Sequence, residues 1–214
     1  MHGTTGLFDR FVRRAPSRFT PIVISLPATG NYDELEEAVR PQLPDSPFVL
    51  VGESFSGPLA LRLSTGSRTV GVVLVNSFAV APLAAWVSYL PWRLVFGLPP
   101  PAFLIRRFLT GPMSPDGLIE EIGMALRGTS PRILAARFRS VVRLSAGETS
   151  SLPLLYLRGT GDQLITEFYV RRTLALFPHH RRADIAGPHL LLQCAPEASW
   201  AAIESFFPPG LGHE

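Results

Sequence analysis

The 214-residue sequence predicts an α/β fold: a mainly parallel sheet of about five strands, helices on both faces and one helical insertion. Two observations carry this. Short, β-branched apolar runs alternate with segments of helical periodicity, and the alternation stops between residues 78 and 147, where helical signals persist without a good strand. Apolar residues make up 46% of the chain and charged residues 17%, which suits a buried core and excludes disorder.

The elements follow in order. Residues 21–26 (PIVISL) read as the first strand. A helix over 33–43 has Asn31 and Asp33 as cap candidates. It carries Glu34, Glu36 and Glu37 early, where the helix dipole favours anions. Strand 48–52 (FVLVG), helix 56–64 and strand 70–76 (VGVVLVN) come next. After the insertion come strand 152–158 (LPLLYLR), helix 166–177, a weaker strand 181–186 (RRADIA) and a last helix over 190–207. Residues 1–77 and 148–214 therefore read as the core. Residues 78–147 read as a helical cap over the carboxyl end of the sheet, with seven prolines between Pro82 and Pro115. A helix over 131–144 opens on proline. Its Arg132, Arg139 and Arg143 share one face and its apolar residues the other. Arg137 falls inside the apolar arc, where its charge is expected to reach out to water.

Composition excludes several chemistries. All twenty basic residues are arginine, so Schiff-base enzymes and the P-loop lysine are ruled out. The single cysteine, Cys194, excludes an internal disulfide or a thiolate cluster, and the five histidines fall into no metal spacing. A net charge of +3, spread along the chain, does not signal nucleic-acid binding. Residues 1–20 hold no signal-peptide run, and prolines and Arg93 break the apolar stretch 78–109, so no membrane span is expected. The expectation is a soluble cytoplasmic protein. Its arginine-only basic set is common in chains from GC-rich genomes, which fits a bacterial source.

Residues 48–57, FVLVGESFSG, run from a buried strand through Gly52-Glu53-Ser54-Phe55-Ser56-Gly57 into a helix. This resembles the nucleophile elbow of the α/β-hydrolases, G-x-S-x-G, in the strand–turn–helix setting that motif needs. The serine sits on a sharp turn whose flanking residues pack closely. Gly52 meets that need; Ser56 replaces the second glycine and is a departure, with Gly57 behind it. The bland alternative for Ser54 is a helix N-cap. The family's order is Ser, then Asp or Glu, then His. Asp162 follows strand 152–158 and His189 follows strand 181–186, so Ser54, Asp162 and His189 all reach the carboxyl edge of the sheet, where open α/β sheets place their sites. Asp184 lies inside a strand, Glu53 points away on the tight turn, His179 and His180 lie at the wrong edge, and His213 is in the tail.

The resemblance implies an oxyanion hole from the backbone N–H of Phe55 and of a residue in a His-Gly loop. Met1-His2-Gly3-Thr4-Thr5-Gly6 matches that loop and nominates Thr4. It also implies a central strand ahead of the loop, between the strands at 21–26 and 48–52, for which this chain has no residues. Either the sequence belongs to a longer protein, or the sheet closes over the gap. The implied activity is a carboxylic-ester hydrolase that uses no metal or cofactor and acts through an acyl-enzyme on a small or medium apolar substrate. A thioesterase with the same three residues, or an inactive protein of this fold, stands beside it. The aromatic residues of 86–105 read either as an apolar substrate lid or as packing. The arginine face of 132–143 reads either as a dock for an acidic acyl carrier protein or as a solvated surface.

Overall fold

A computed structural model describes residues 6–66, 68–98, 100–145 and 149–208. One sheet holds the strands β1 (Phe48–Glu53), β2 (Thr69–Val75), β3 (Leu154–Gly159) and β4 (His180–Ile185), all parallel and in that spatial order. The helices are α1 (Asp9–Arg13), α2 (Tyr32–Val39), α3 (Ser56–Leu63), α4 (Trp92–Val95), α5 (Ala102–Ile105), α6 (Leu118–Arg127), α7 (Pro131–Val142), α8 (Glu167–Leu174), α9 (Leu191–Cys194) and α10 (Pro196–Phe206).

The strand period of two sorts the core into layers. Val73, Val75, Leu155 and Leu157 face α1, α9 and α10, where Phe11 stacks on Trp200 at 4.4 Å and the indole N–H donates to Phe11 O at 2.7 Å. Val72, Leu74, Leu154 and Tyr156 face the other way, against Ala60 of α3 and Val170 and Leu174 of α8. All eight of these strand side chains are fully buried, which is why β2 and β3 read as unbroken apolar runs. Outside α3 lies α2, packed through Leu35, Val39, Leu59 and Leu63. Asn31 caps α2 by accepting from Asp33 N–H at 2.9 Å.

Among the described residues four strands form, where about five are expected. Residues 21–26 are extended in composition but form no strand, and Ile22 and Val23 are exposed. A strand exists only through a partner's hydrogen bonds. None of the four strands pairs with this segment, so the sheet does not close over the gap, and β1 is left as its edge. The expected last helix is broken into α9 and α10, because Pro196 supplies no N–H and pushes Ala195 out of the helical region, to φ −137° and ψ 56°.

Between β2 and β3 the described residues hold helices and turns and no strand. The prolines set their bounds. Pro91 precedes α4 and Pro101 precedes α5, and Pro131 opens α7 behind Ser130, whose hydroxyl accepts from Ile133 N–H at 3.3 Å. Among the described residues no helix is long and apolar enough to cross a membrane.

Candidate active site

The turn after β1 is shaped by what a side chain would collide with. A Cβ on Gly52 would sit 2.7 Å from Gly57 Cα and 2.9 Å from Ala60 Cβ; one on Gly57 would sit 1.8 Å from Ser77 Oγ. The second indispensable glycine is therefore Gly57, one place later than the motif suggests. Ser56 uses its hydroxyl instead, accepting from Glu53 N–H at 2.9 Å and donating to Glu53 O at 2.8 Å, which closes the turn. Ser54 stands at its apex with φ +52°, a left-handed conformation that costs a non-glycine residue free energy and recurs at functional turns. Ser54 N–H donates to Val75 O at 3.0 Å, and Ser54 O accepts from Gly57 N–H at 3.1 Å and Ser77 Oγ at 2.7 Å.

Asp162 and His189 arrive from the loops after β3 and β4. His189 Nε2 lies 2.8 Å from Ser54 Oγ, and its Nδ1 lies 3.0 Å from Asp162 Oδ1. His189 and Asp162 are both buried. Asp162 Oδ1 also accepts from Leu164 N–H at 2.8 Å, and Oδ2 accepts from Arg158 Nη1 at 2.9 Å. Burial alone would raise this carboxyl's pKa. The bond from His189, its charge, the Leu164 N–H and the Arg158 charge together outweigh burial and hold it below the usual aspartate value. The structure thus brings Ser54, His189 and Asp162 into one hydrogen-bonded row. Phe55, the cap residue of α3, stacks on Tyr32 with ring centres 5.0 Å apart and accepts from its hydroxyl at 2.9 Å. Thr4 lies outside the described residues.

Several groups that hold this row are not legible in the sequence. Asn76 follows β2 and is fully buried at φ +42°. Its amide donates to Pro188 O at 2.9 Å and His189 O at 2.8 Å, and its carbonyl accepts from Gly159 N–H at 2.7 Å. It ties the ends of β2 and β3 to the histidine loop. An asparagine closing a β-branched run is the one local signal of this. Arg158, the lone charge in LLYLR, is the partner of Asp162. Glu53 does point away from Ser54, and it accepts from Leu192 N–H at 3.0 Å and Gln193 Nε2 at 2.8 Å, fastening β1 to the helix after His189. Burial pushes its carboxyl up.

One expectation about the insertion fails. Arg137 does not reach out to water. Its Nε and Nη2 donate to Thr29 O and Pro27 O, each at 3.0 Å, and its guanidinium lies 5.5 Å from the Phe55 ring centre. Backbone carbonyls from a distant loop come to it, which no periodicity shows. Among the insertion's aromatics, Trp92, Phe96 and Phe138 pack on one another, while Trp86, Tyr89 and Phe103 face solvent. A groove of about 1060 Å³ does open beside Ser54, but β1, residues 18–26, α1 and the α3 layer wall it, with Arg137 the sole contribution from the described residues between 78 and 145. Among the described residues no three His, Cys, Asp or Glu side chains cluster to hold a metal ion.

No sequence-family model and no curated protein matches the chain. Solved structures do. A hydrolase from Oleispira antarctica superposes with a TM-score of 0.75 at 16% identity, over 94% of this chain and 85% of that one. RedJ, a thioesterase from the prodiginine biosynthetic pathway of Streptomyces coelicolor, gives 0.69 at 18% identity, over 96% and 82%. A thermophilic esterase from Thermogutta terrifontis gives 0.59 at 18%, over 86% and 74%.

Proposed function

We propose, on the premise that this chain has the α/β-hydrolase fold, that it is a serine hydrolase cleaving a carboxylic ester of a small or medium apolar substrate. The observation that carries the proposal is the Ser54–His189–Asp162 row, at 2.8 and 3.0 Å, with the serine on a strained apex at the carboxyl edge of the sheet. In this reading His189 Nε2 takes the proton of Ser54 Oγ as the oxygen attacks the ester carbonyl. Asp162 accepts from Nδ1–H, which fixes the tautomer and favours the imidazolium that forms. The developing oxyanion meets the Phe55 N–H at the start of α3, one of the donors that a helix leaves free there, and Thr4 is proposed as the second donor. The alcohol leaves with the proton from His189, and a water activated by the same histidine cleaves the acyl-enzyme. The helical segment 78–147 is proposed as the cap over this edge. Its exposed Arg132 and Arg143 keep the carrier-protein dock as a subsidiary proposal.

A second reading, a thioesterase, is favoured by the likeness to RedJ and uses the same residues. The test is labelling with a fluorophosphonate, which needs an activated serine but no known substrate. Wild type labels and Ser54→Ala does not. Folded wild type that fails to label overturns the proposal. A panel of matched oxygen and thiol esters then separates the two readings.

A further inference from the structure

Arg137 lines the groove together with Ser54 and Phe55. Its place is fixed from two sides. A Cβ on Gly30 would sit 2.5 Å from Ala136 Cβ, so α7 lies directly against the 27–30 loop. The side chain then commits one edge of its planar fork to that loop, Nε and Nη2 donating to Thr29 O and Pro27 O. The other edge, from Nη1 to Nη2, has no hydrogen-bond partner among the described residues.

Its charge is unanswered as well. Among the described residues Arg137 forms no ion pair, and burial pushes its pKa down. The carboxylates around the site are engaged elsewhere. Glu53 accepts from Leu192 and Gln193, Asp162 from His189 and Arg158, and Glu34 from Thr29 Oγ1. Arg18, the other arginine lining the groove, has Glu204 at 3.3 Å. A half-buried cation held only by two carbonyl oxygens lacks the anion that such groups normally find. The free edge of the guanidinium matches the two oxygens of a carboxylate. The Arg137 guanidinium carbon lies 5.5 Å from the Phe55 ring centre, and a phenylalanine ring centre lies about 5 Å from its own backbone nitrogen. The charge therefore stands within about 10 Å of the N–H assigned to the oxyanion. Leu26, Phe55 and Leu59 add apolar wall to the same groove.

We propose, building on the serine-hydrolase reading above, that Arg137 is an anion site beside Ser54 and that the ester cleaved there carries a carboxylate a few carbons from its scissile carbonyl. The substrate class is then the monoester of a dicarboxylic acid with an apolar middle. The carboxylate pairs with the Nη1–Nη2 edge, the apolar carbons lie along the groove wall, and the ester carbonyl reaches Ser54 Oγ. Arg137 sets which ester is taken and plays no part in bond making or breaking.

The test compares monoethyl adipate with its uncharged isostere, the same ester with a terminal carboxamide. Wild type is expected to hydrolyse the acid with a kcat/KM about 10- to 100-fold above that of the amide, the range of a charge-assisted hydrogen bond. Arg137→Met brings that ratio to about one, whatever its absolute rates, because a merely structural loss falls on both esters alike. Arg137→Lys, which keeps the charge without the fork, retains part of the preference. Equal rates on the two esters in wild type, or a preference that survives Arg137→Met, overturn the proposal. Calorimetric binding of the same two esters to Ser54→Ala, with and without Arg137→Met, reads the site without catalysis. Acid-selective binding that needs Arg137, in a protein that fails to label with fluorophosphonate, keeps the anion site and sinks the hydrolase reading. Labelling without acid selectivity does the reverse.

Discussion

Replacing Asn76 by alanine tests how the row is held together. Asn76 is 0% exposed and makes three hydrogen bonds of 2.7–2.9 Å. Alanine strands the buried Gly159 N–H, at about 1–3 kcal/mol, and removes the donors from two carbonyls. It also places a Cβ-bearing residue without a compensating side chain at φ +42°, at about 1–2 kcal/mol. Together these come to about 4 kcal/mol, a large part of the ~5–15 kcal/mol that holds a domain together. At a urea m-value of about 2 kcal/mol/M the midpoint falls by about 2 M. Asn76→Gly separates the parts, recovering the left-handed strain and none of the bonds, so its midpoint lies between wild type and alanine. Urea unfolding followed by circular dichroism reads both, and fluorophosphonate labelling of the folded fraction reports whether His189 keeps its place. A shift below about 0.5 M for alanine, with unchanged m, refutes the tie assigned to Asn76.

Three further outcomes are expected. Gly57→Ala drives a Cβ to 1.8 Å from Ser77 Oγ and abolishes labelling together with native stability. Ser56→Gly makes the motif more regular, yet lowers stability by about 1–3 kcal/mol by stranding Glu53 N–H, and a Ser56→Gly variant as stable as wild type refutes the role given to that hydroxyl. The depressed Asp162 carboxyl contributes stability that is complete above the ordinary aspartate value of about 3.9 and is lost as pH falls through its lower folded value. Arg158→Met removes one group that holds it down and moves the acid-unfolding midpoint to higher pH in circular dichroism titrations; an unmoved midpoint refutes the linkage.

The parts of this molecule that were legible in the sequence are those decided locally. β2 and β3 announce themselves because both faces are buried, and the elbow because close packing at Gly52 and Gly57 excludes side chains. Ser54, Asp162 and His189 were within reach because each ends a strand-and-loop unit, and parallel strands bring such ends to one edge. Residues 21–26 have the same composition as a strand and are not one, since pairing is decided by a neighbour and not by the segment. Asn76, Arg158 and Arg137 were hidden for a related reason. Their partners are brought to them by the chain's return from elsewhere, and a lone polar residue in an apolar run does not say what it will meet.

The connection from Val75 to Leu154 carries the helical segment, of whose described residues only Arg137 lines the groove beside Ser54. Loop-closure cost grows only with the logarithm of length, so doubling or halving this connection changes it by about 0.6 kcal/mol. In closure cost alone the sheet is therefore nearly indifferent to the length spliced between its second and third strands, and what ties the segment to the site is contact, such as Leu109 O accepting from Leu190 N–H at 2.8 Å beside His189. Inheritance can therefore lengthen or shorten that connection at little closure cost, provided the contacts it makes with the loop of His189 are kept.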